Sequence, residues 1–160
     1  MRLIKMVPVV GLCAVSFLPV SVAAGEYYSI INASSGLCLD ATATRDDAFV
    51  QQSGCQNSLD GQKWQKVSKE PRSFKLQNKW TGMCLDVYAP ENLEYPWLNT
   101  VTTSECDQRK KNQKWEDIGR MRIRNDHTGQ CLAAPGKLEL GTVKVVNCGK
   151  DDLFLKWSKK

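Results

Sequence analysis

The stretch TGMCLDV, Thr81 to Val87, decides the fold, because the chain writes it three times. It stands earlier as SGLCLDA, residues 35–41, and later as TGQCLAA, residues 128–134. The glycines Gly36, Gly82 and Gly129 are 46 and 47 residues apart. Working outward, an asparagine precedes each glycine by four residues: Asn32, Asn78 and Asn125. A second cysteine follows each copy (Cys55, Cys106, Cys148), and then a tryptophan (Trp64, Trp115, Trp157). The first two copies end in Gln62-Lys63-Trp64 and Gln113-Lys114-Trp115, the third in Leu155-Lys156-Trp157. A fixed period of this size marks a repeat architecture or a pseudo-symmetric domain.

The local signals within each copy are those of strands. Residues 28–31, 74–77, 121–124 and 142–146 alternate or carry β-branched side chains over a few positions. Asn-x-x-Ser/Thr-Gly between such runs reads as a turn, since Asn and Gly tolerate positive φ. No amphipathic stretch of helical length occurs after residue 24. Each repeat is expected to hold about four short strands.

Residues 1–24 read as a signal peptide. Met1, Arg2 and Lys5 open it, an apolar run follows from Met6 to Val20, and the small residues Ser21 to Ala24 place cleavage after Ala24. The run is short and interrupted by Pro8 and Pro19, which argues against a membrane span. Leu12 before Cys13 is a poor lipidation context. The expectation is an exported protein, secreted or periplasmic, with a single domain over residues 25–160 and no membrane insertion. Losing Arg2 and Lys5 lowers the net charge from +5 to about +3. Arg109, Lys110 and Lys111 form the one dense basic run and read as a solvated loop, so no nucleic-acid partner is expected.

Removing Cys13 from the seven cysteines leaves Cys38, Cys55, Cys84, Cys106, Cys131 and Cys148. An even count in an exported chain points to disulfides. A single histidine, His127, and no Cys-x-x-Cys make a metal site an unlooked-for outcome. Six cysteines allow about fifteen pairings. The equivalence of the repeats selects Cys38–Cys55, Cys84–Cys106 and Cys131–Cys148, each closing its own loop.

Gly-x-Cys-Leu-Asp, a second cysteine and Gln-x-Trp, in three copies, resemble the ricin B-chain type of β-trefoil lectin over essentially all of residues 25–160. The resemblance implies an all-β trefoil of pseudo-threefold symmetry, with leaves at about 25–70, 71–118 and 119–160. It implies a central core of Trp64, Trp115 and Trp157, with Gln62 and Gln113 anchoring hairpin backbone. It further implies binding of glycans or glycoconjugates, usually galactose-type, without cofactor or metal.

In such a family leaf, an aspartate after Cys-Leu takes sugar hydroxyls and a ring two residues before the second cysteine stacks on the sugar. A polar residue four before that cysteine and an asparagine before Gln-x-Trp complete the site. Carried over, the first leaf keeps Asp40 and Gln51 but has Ser53 at the ring position and Gly61 for the asparagine. The second keeps Asp86 and Asn112, with Ser104 at the ring position and Thr102 as the polar contact. The third has Ala133, Lys144, Val146 and Phe154 in these places and is not expected to bind sugar. In the second leaf Tyr88 and Trp97, with Tyr95 and Pro96 in a long loop, offer a substitute platform. Phe49 reads as core, in the apolar pair Phe49-Val50.

A non-binding reading of the two aspartates also exists, since a carboxylate after a buried pair can accept backbone N–H groups of the next turn. Its loss from the third leaf favours ligand contact. No enzyme activity is expected. His127 stands alone in a turn, no nucleophile motif accompanies it, and Asp40 and Asp86 lie in different leaves, too far apart for glycosidase chemistry. Catalysis would belong to a separate polypeptide. The alternative function is an accessory, cell-binding or partner-binding subunit of a secreted bacterial toxin. Trefoils with degraded sites resemble such subunits in cytolethal distending toxin.

Overall fold

The computed structural model describes residues 25–67, 70, 72–88, 99–149 and 152–160. The expected signal peptide, Tyr95, Pro96 and Trp97 lie outside the described residues.

The repeated turn comes first, because it explains why the phrase recurs. Gly36, Gly82 and Gly129 have φ of +70°, +69° and +67°. Glycine takes this left-handed conformation without steric cost. The asparagine four residues earlier closes the turn. Asn78 Oδ1 accepts from the backbone N–H of Trp80 and Thr81. Asn32 does the same for Ser34 and Ser35, and Asn125 for His127 and Thr128. Each amide also reaches outward. Asn78 Nδ2 donates to the carbonyls of Gly61 and Lys63. Asn125 Nδ2 donates to those of Asn112 and Lys114, and Asn32 Nδ2 to those of Phe154 and Lys156. The turn of each leaf is thus stapled to the segment before the repeat tryptophan of a neighbouring leaf, and the third staple closes the circle.

Twelve strands are described. The first leaf holds β1 (Ile30–Asn32), β2 (Cys38–Ala41), β3 (Ala48–Ser53) and β4 (Trp64–Val67). The second holds β5 (Lys75–Asn78), β6 (Cys84–Tyr88), β7 (Thr100–Ser104) and β8 (Trp115–Asp117). The third holds β9 (Ile123–Asn125), β10 (Cys131–Ala133), β11 (Lys144–Val146) and β12 (Trp157–Lys159).

Six strands close a ring. β1 pairs with β12, β4 with β5, and β8 with β9. Bridges Tyr28–Trp64 and Phe74–Trp115, and the bond from Trp157 N to Met121 O, join these pairs to one another. The hairpins β2–β3, β6–β7 and β10–β11 cap one end and meet through β3–β7 and β7–β11.

The core follows the repeat. Trp64, Trp115 and Trp157 are buried, and their indole Nε1 groups donate to the carbonyls of Leu39, Leu85 and Leu132 at 2.9, 3.0 and 3.0 Å. Each tryptophan therefore ties the end of a leaf to its own Gly-x-Cys-Leu phrase. Those leucines are fully buried as well. Burying each contributes roughly 1.5–3 kcal/mol. Cys38–Cys55, Cys84–Cys106 and Cys131–Cys148 are bonded, all within repeats.

Phe49 differs from expectation: it is 52% exposed. Strand β3 alternates here, so Val50 faces the core and Phe49 points away with the half-buried Gln51.

Candidate functional site

In each of the first two leaves a serine, an aspartate and a glutamine form one hydrogen-bonded cluster. In the second leaf Asp86 is only 2% exposed. Its Oδ2 accepts from Ser104 Oγ and, at 3.0 Å, from Gln113 Nε2. Its Oδ1 accepts from Asn112 Nδ2. Gln113 also donates to Ser104 Oγ and Glu105 O, and its Oε1 accepts from Asp107 N and from the buried Lys75 Nζ. Burial pushes the Asp86 carboxyl above the usual carboxylate range, against the opposing pull of Ser104 and Gln113. Both oxygens of Asp86, the residue expected to meet a ligand, hold hydrogen bonds inside the protein, Oδ1 with Asn112.

The first leaf builds the same cluster and leaves it open. Ser53 Oγ donates to Asp40 Oδ2 at 2.5 Å, and Gln62 Nε2 to the same oxygen at 3.3 Å. Gln62 also donates to Ser53 Oγ and Gly54 O, and accepts from Gln56 N. Gln62 and Gln113 thus hold their hairpins to the short 3₁₀ turns before Trp64 and Trp115. Among the described residues no donor reaches Asp40 Oδ1. Gly61 stands where the second leaf has Asn112. A Cβ on Gly61 would lie 2.8 Å from Asp40 Oδ1, 3.0 Å from Ala41 O and 3.7 Å from Trp80 Cε3. Glycine thus lets the backbone approach Asp40 closely, and beside it lies a cavity of about 240 Å³ lined by Asp40, Ala41, Leu59, Asp60, Gly61 and Trp80. Asp40 is half-buried, Leu59 partly exposed, and Trp80 51% exposed. Asp60 pairs with Lys79 at the rim at 2.9 Å. Such an exposed pair adds little stability.

The third leaf replaces the whole cluster by apolar side chains. Ala133, Val146 and Leu155 stand where the other leaves have aspartate, serine and glutamine. Leu155 is buried against Cys131 and Ala133, with Ile118 and Cys148 alongside.

The remaining expected contacts scatter. Gln51 lies directly across from Asp40 in the β2–β3 register and is half-buried. Thr102 lies across from Asp86 but is buried. Tyr88 ends β6, half-buried, opposite Thr100. The ring positions Ser53 and Ser104 point into the clusters and cannot stack on a ligand. Trp80 was not legible as a site residue, because it belongs to the next leaf. One signal was available: its turn position carries Ser34 and His127 in the other copies, so a large apolar ring there stands out. Among the described residues no group of acidic, histidine or cysteine side chains gathers in a metal-binding arrangement, and no helix is long and apolar enough to cross a membrane.

A closed six-strand ring capped by three hairpins, with a carboxylate cluster in two of three leaves, defines a β-trefoil of the lectin type. The chain belongs to the family of ricin-type beta-trefoil lectin domains, which it matches over residues 26–157. No curated protein matches the sequence. Among solved structures, the fold is similar to the designed threefold-symmetric protein ThreeFoil, with TM-score 0.72 and 23% identity, covering 83% of this chain and 96% of that one. It is similar to the Rhizoctonia solani agglutinin, with TM-score 0.70 and 18% identity over 89% and 98% of the two chains. A chain of the Haemophilus ducreyi cytolethal distending toxin also shares the fold, with TM-score 0.67, 16% identity and coverages of 90% and 87%.

Proposed function

We propose that this protein is a secreted carbohydrate-binding module that engages glycans at the first leaf through Asp40. The observation that carries the reading is the unpaired Asp40 Oδ1 in an open cavity, beside a second leaf whose equivalent oxygen is covered by Asn112. A carboxylate oxygen is a strong acceptor for sugar hydroxyls. The half-buried Gln51 across the β2–β3 hairpin supports the same face. Membership of the ricin-type family supports a galactose-type sugar, no cofactor and no catalytic activity of this domain. The apolar run from Met6 to Val20, behind Arg2 and Lys5, supports export.

The test is a glycan array on oxidised protein comprising residues 25–160, with Asp40→Asn beside it. Binding that the substitution abolishes supports the reading. Binding indifferent to it, or no binding to any glycan, overturns the first-leaf site.

The toxin-subunit reading has one observation in its favour. Leu138 and Leu140 of the third leaf are 69% and 65% exposed, and Leu140 is held at φ +60°. Their loop is fixed by Gln52, whose Nε2 donates to Gly136 O and Leu138 O, so two leucines are presented to solvent on a firm support. An exported toxin subunit that co-purifies with the protein, and is released by Leu138→Asp with Leu140→Asp, would favour it.

A further inference from the structure

We propose that Trp80 is the stacking platform for the sugar held by Asp40, so that the first-leaf site is assembled across the boundary between two leaves. This rests on the reading of Asp40 as the glycan contact. It differs in which side of the carboxylate the ring comes from. The ring position within the first leaf is Ser53, which is spent on Asp40 Oδ2. The free oxygen, Oδ1, faces the other way, toward Gly61 and Trp80.

Three features place Trp80 as part of this site. First, Asp40 Oδ1 and Trp80 Cε3 flank the same point, the missing Cβ of Gly61. Second, one residue fixes both walls. Asn78 accepts from Trp80 N and donates to Gly61 O at 2.7 Å, so a single side chain anchors the backbone of Trp80 and the cavity floor. Third, Trp80 is 51% exposed at the cavity, beside Leu59 and Gly61, and such a ring offers a flat apolar face. The equivalent turns carry Ser34 and His127, so only this leaf boundary pairs an uncovered carboxylate with a tryptophan.

The ligand class follows from the lining. Asp40 Oδ1 only accepts, Trp80 and Leu59 are apolar, and Asp60 adds a second carboxylate at the rim. The site suits one terminal pyranose that stacks an apolar C–H face and donates hydroxyl protons. Sialic and uronic acids bring a carboxylate toward that of Asp40 and are disfavoured, Asp60 being paired with Lys79. Gly61 permits this close approach, and a side chain there would press on Asp40 Oδ1 and the Ala41 carbonyl and displace the carboxylate.

The experiment is a titration of oxidised protein, residues 25–160, with lactose, N-acetylgalactosamine and glucuronic acid, followed through the indole N–H resonance of Trp80. Trp80→Ala, Trp80→Phe, Gly61→Asn and Asp40→Asn are compared with the wild type. A neutral sugar is expected to shift the Trp80 resonance, and glucuronic acid is not. Trp80→Ala should weaken binding by about tenfold or more, with partial recovery in Trp80→Phe. Gly61→Asn should abolish binding, although asparagine is the residue the family uses there. Because Trp80 is exposed, its variants should melt as the wild type does. Binding retained in Trp80→Ala but lost in Asp40→Asn overturns the platform and leaves Asp40 standing. Tighter binding in Gly61→Asn overturns the proposed geometry. No binding of either neutral sugar by the wild type overturns both.

Discussion

Gly61 and Asn112 occupy the same place in successive leaves, and only Asn112 carries an amide to the carboxylate below it. Two aspartates that look alike in sequence are left in opposite states. Asp86 is covered, and Asp40 is open on one side.

Function should divide along that difference. Asp40→Asn is expected to reduce glycan affinity by about tenfold or more, since a charged acceptor is lost. Asp86→Asn should bind as the wild type does. Parallel isothermal titrations check both, and equal losses in the two variants would contradict the division.

The turn asparagines should matter to stability and binding together. Asn78 is fully buried and makes two donations and two acceptances with backbone groups. Asn78→Ala should cost about 2–4 kcal/mol, from several hydrogen bonds lost and carbonyls left unpaired. It should also weaken glycan binding, because Trp80 loses its anchor. Urea unfolding and a sugar titration on the same sample give the two readouts.

Each disulfide closes a loop of a single leaf, with sequence separations of 17, 22 and 17. Removing one bridge, for example by Cys131→Ser with Cys148→Ser, should cost up to ~3 kcal/mol on chain-entropy grounds. Calorimetric melting before and after the change measures it. A melting temperature that does not move would deny the bridges a stabilising role.

Acid should act on two carboxylates with opposite sign. The Arg109 guanidinium and backbone N–H bind Asp107 and hold it down from 3.8 to about 2. A depressed acid contributes stability that is present above its unfolded value and is lost as pH falls through the folded one, here between about 4 and 2. Arg109→Ala should return Asp107 to the ordinary range in a carboxyl-carbon NMR titration. Asp86 is raised by burial, so its contribution is present at low pH and is lost as pH rises through its folded value. Asp86→Asn should flatten that part of the stability profile.

The third leaf tests the clusters as sets. Leu155→Gln alone places an amide in an apolar pocket and should cost about 1–3 kcal/mol. Adding Ala133→Asp and Val146→Ser supplies the partners that Gln62 and Gln113 have, and should recover part of the loss. Stability measured over the full mutant cycle gives the coupling.

Most of the fold was legible because it is written three times. Period, cysteine order and Gln-x-Trp each constrain the same architecture, so the cysteine pairs follow from equivalence alone. The site was legible only in part. Asp40 and the altered third leaf can be read from aligned copies, but the covering of Asp86 depends on a contact 26 residues away in sequence. The aspartate also has a role within the fold. Its loss from the third leaf travels with the loss of serine and glutamine, so the carboxylate has a structural half as well as an exposed one. Phe49 could not be placed because a pair such as Phe49-Val50 must send one residue each way in a strand, and the pair does not say which.

The staple from Asn32 to Phe154 and Lys156, together with the β1–β12 pairing, makes the junction of the last leaf with the first much like the two junctions the chain runs through. Topologically the domain is a cycle whose peptide connection is interrupted at one of three similar seams. Moving that interruption should be tolerated. A circularly permuted chain joining Lys160 to Gly25 through a short linker, and opened between β4 and β5, would keep every asparagine staple, every disulfide and the Asp40–Trp80 pocket. Its order of leaves would be new, and its fold would not.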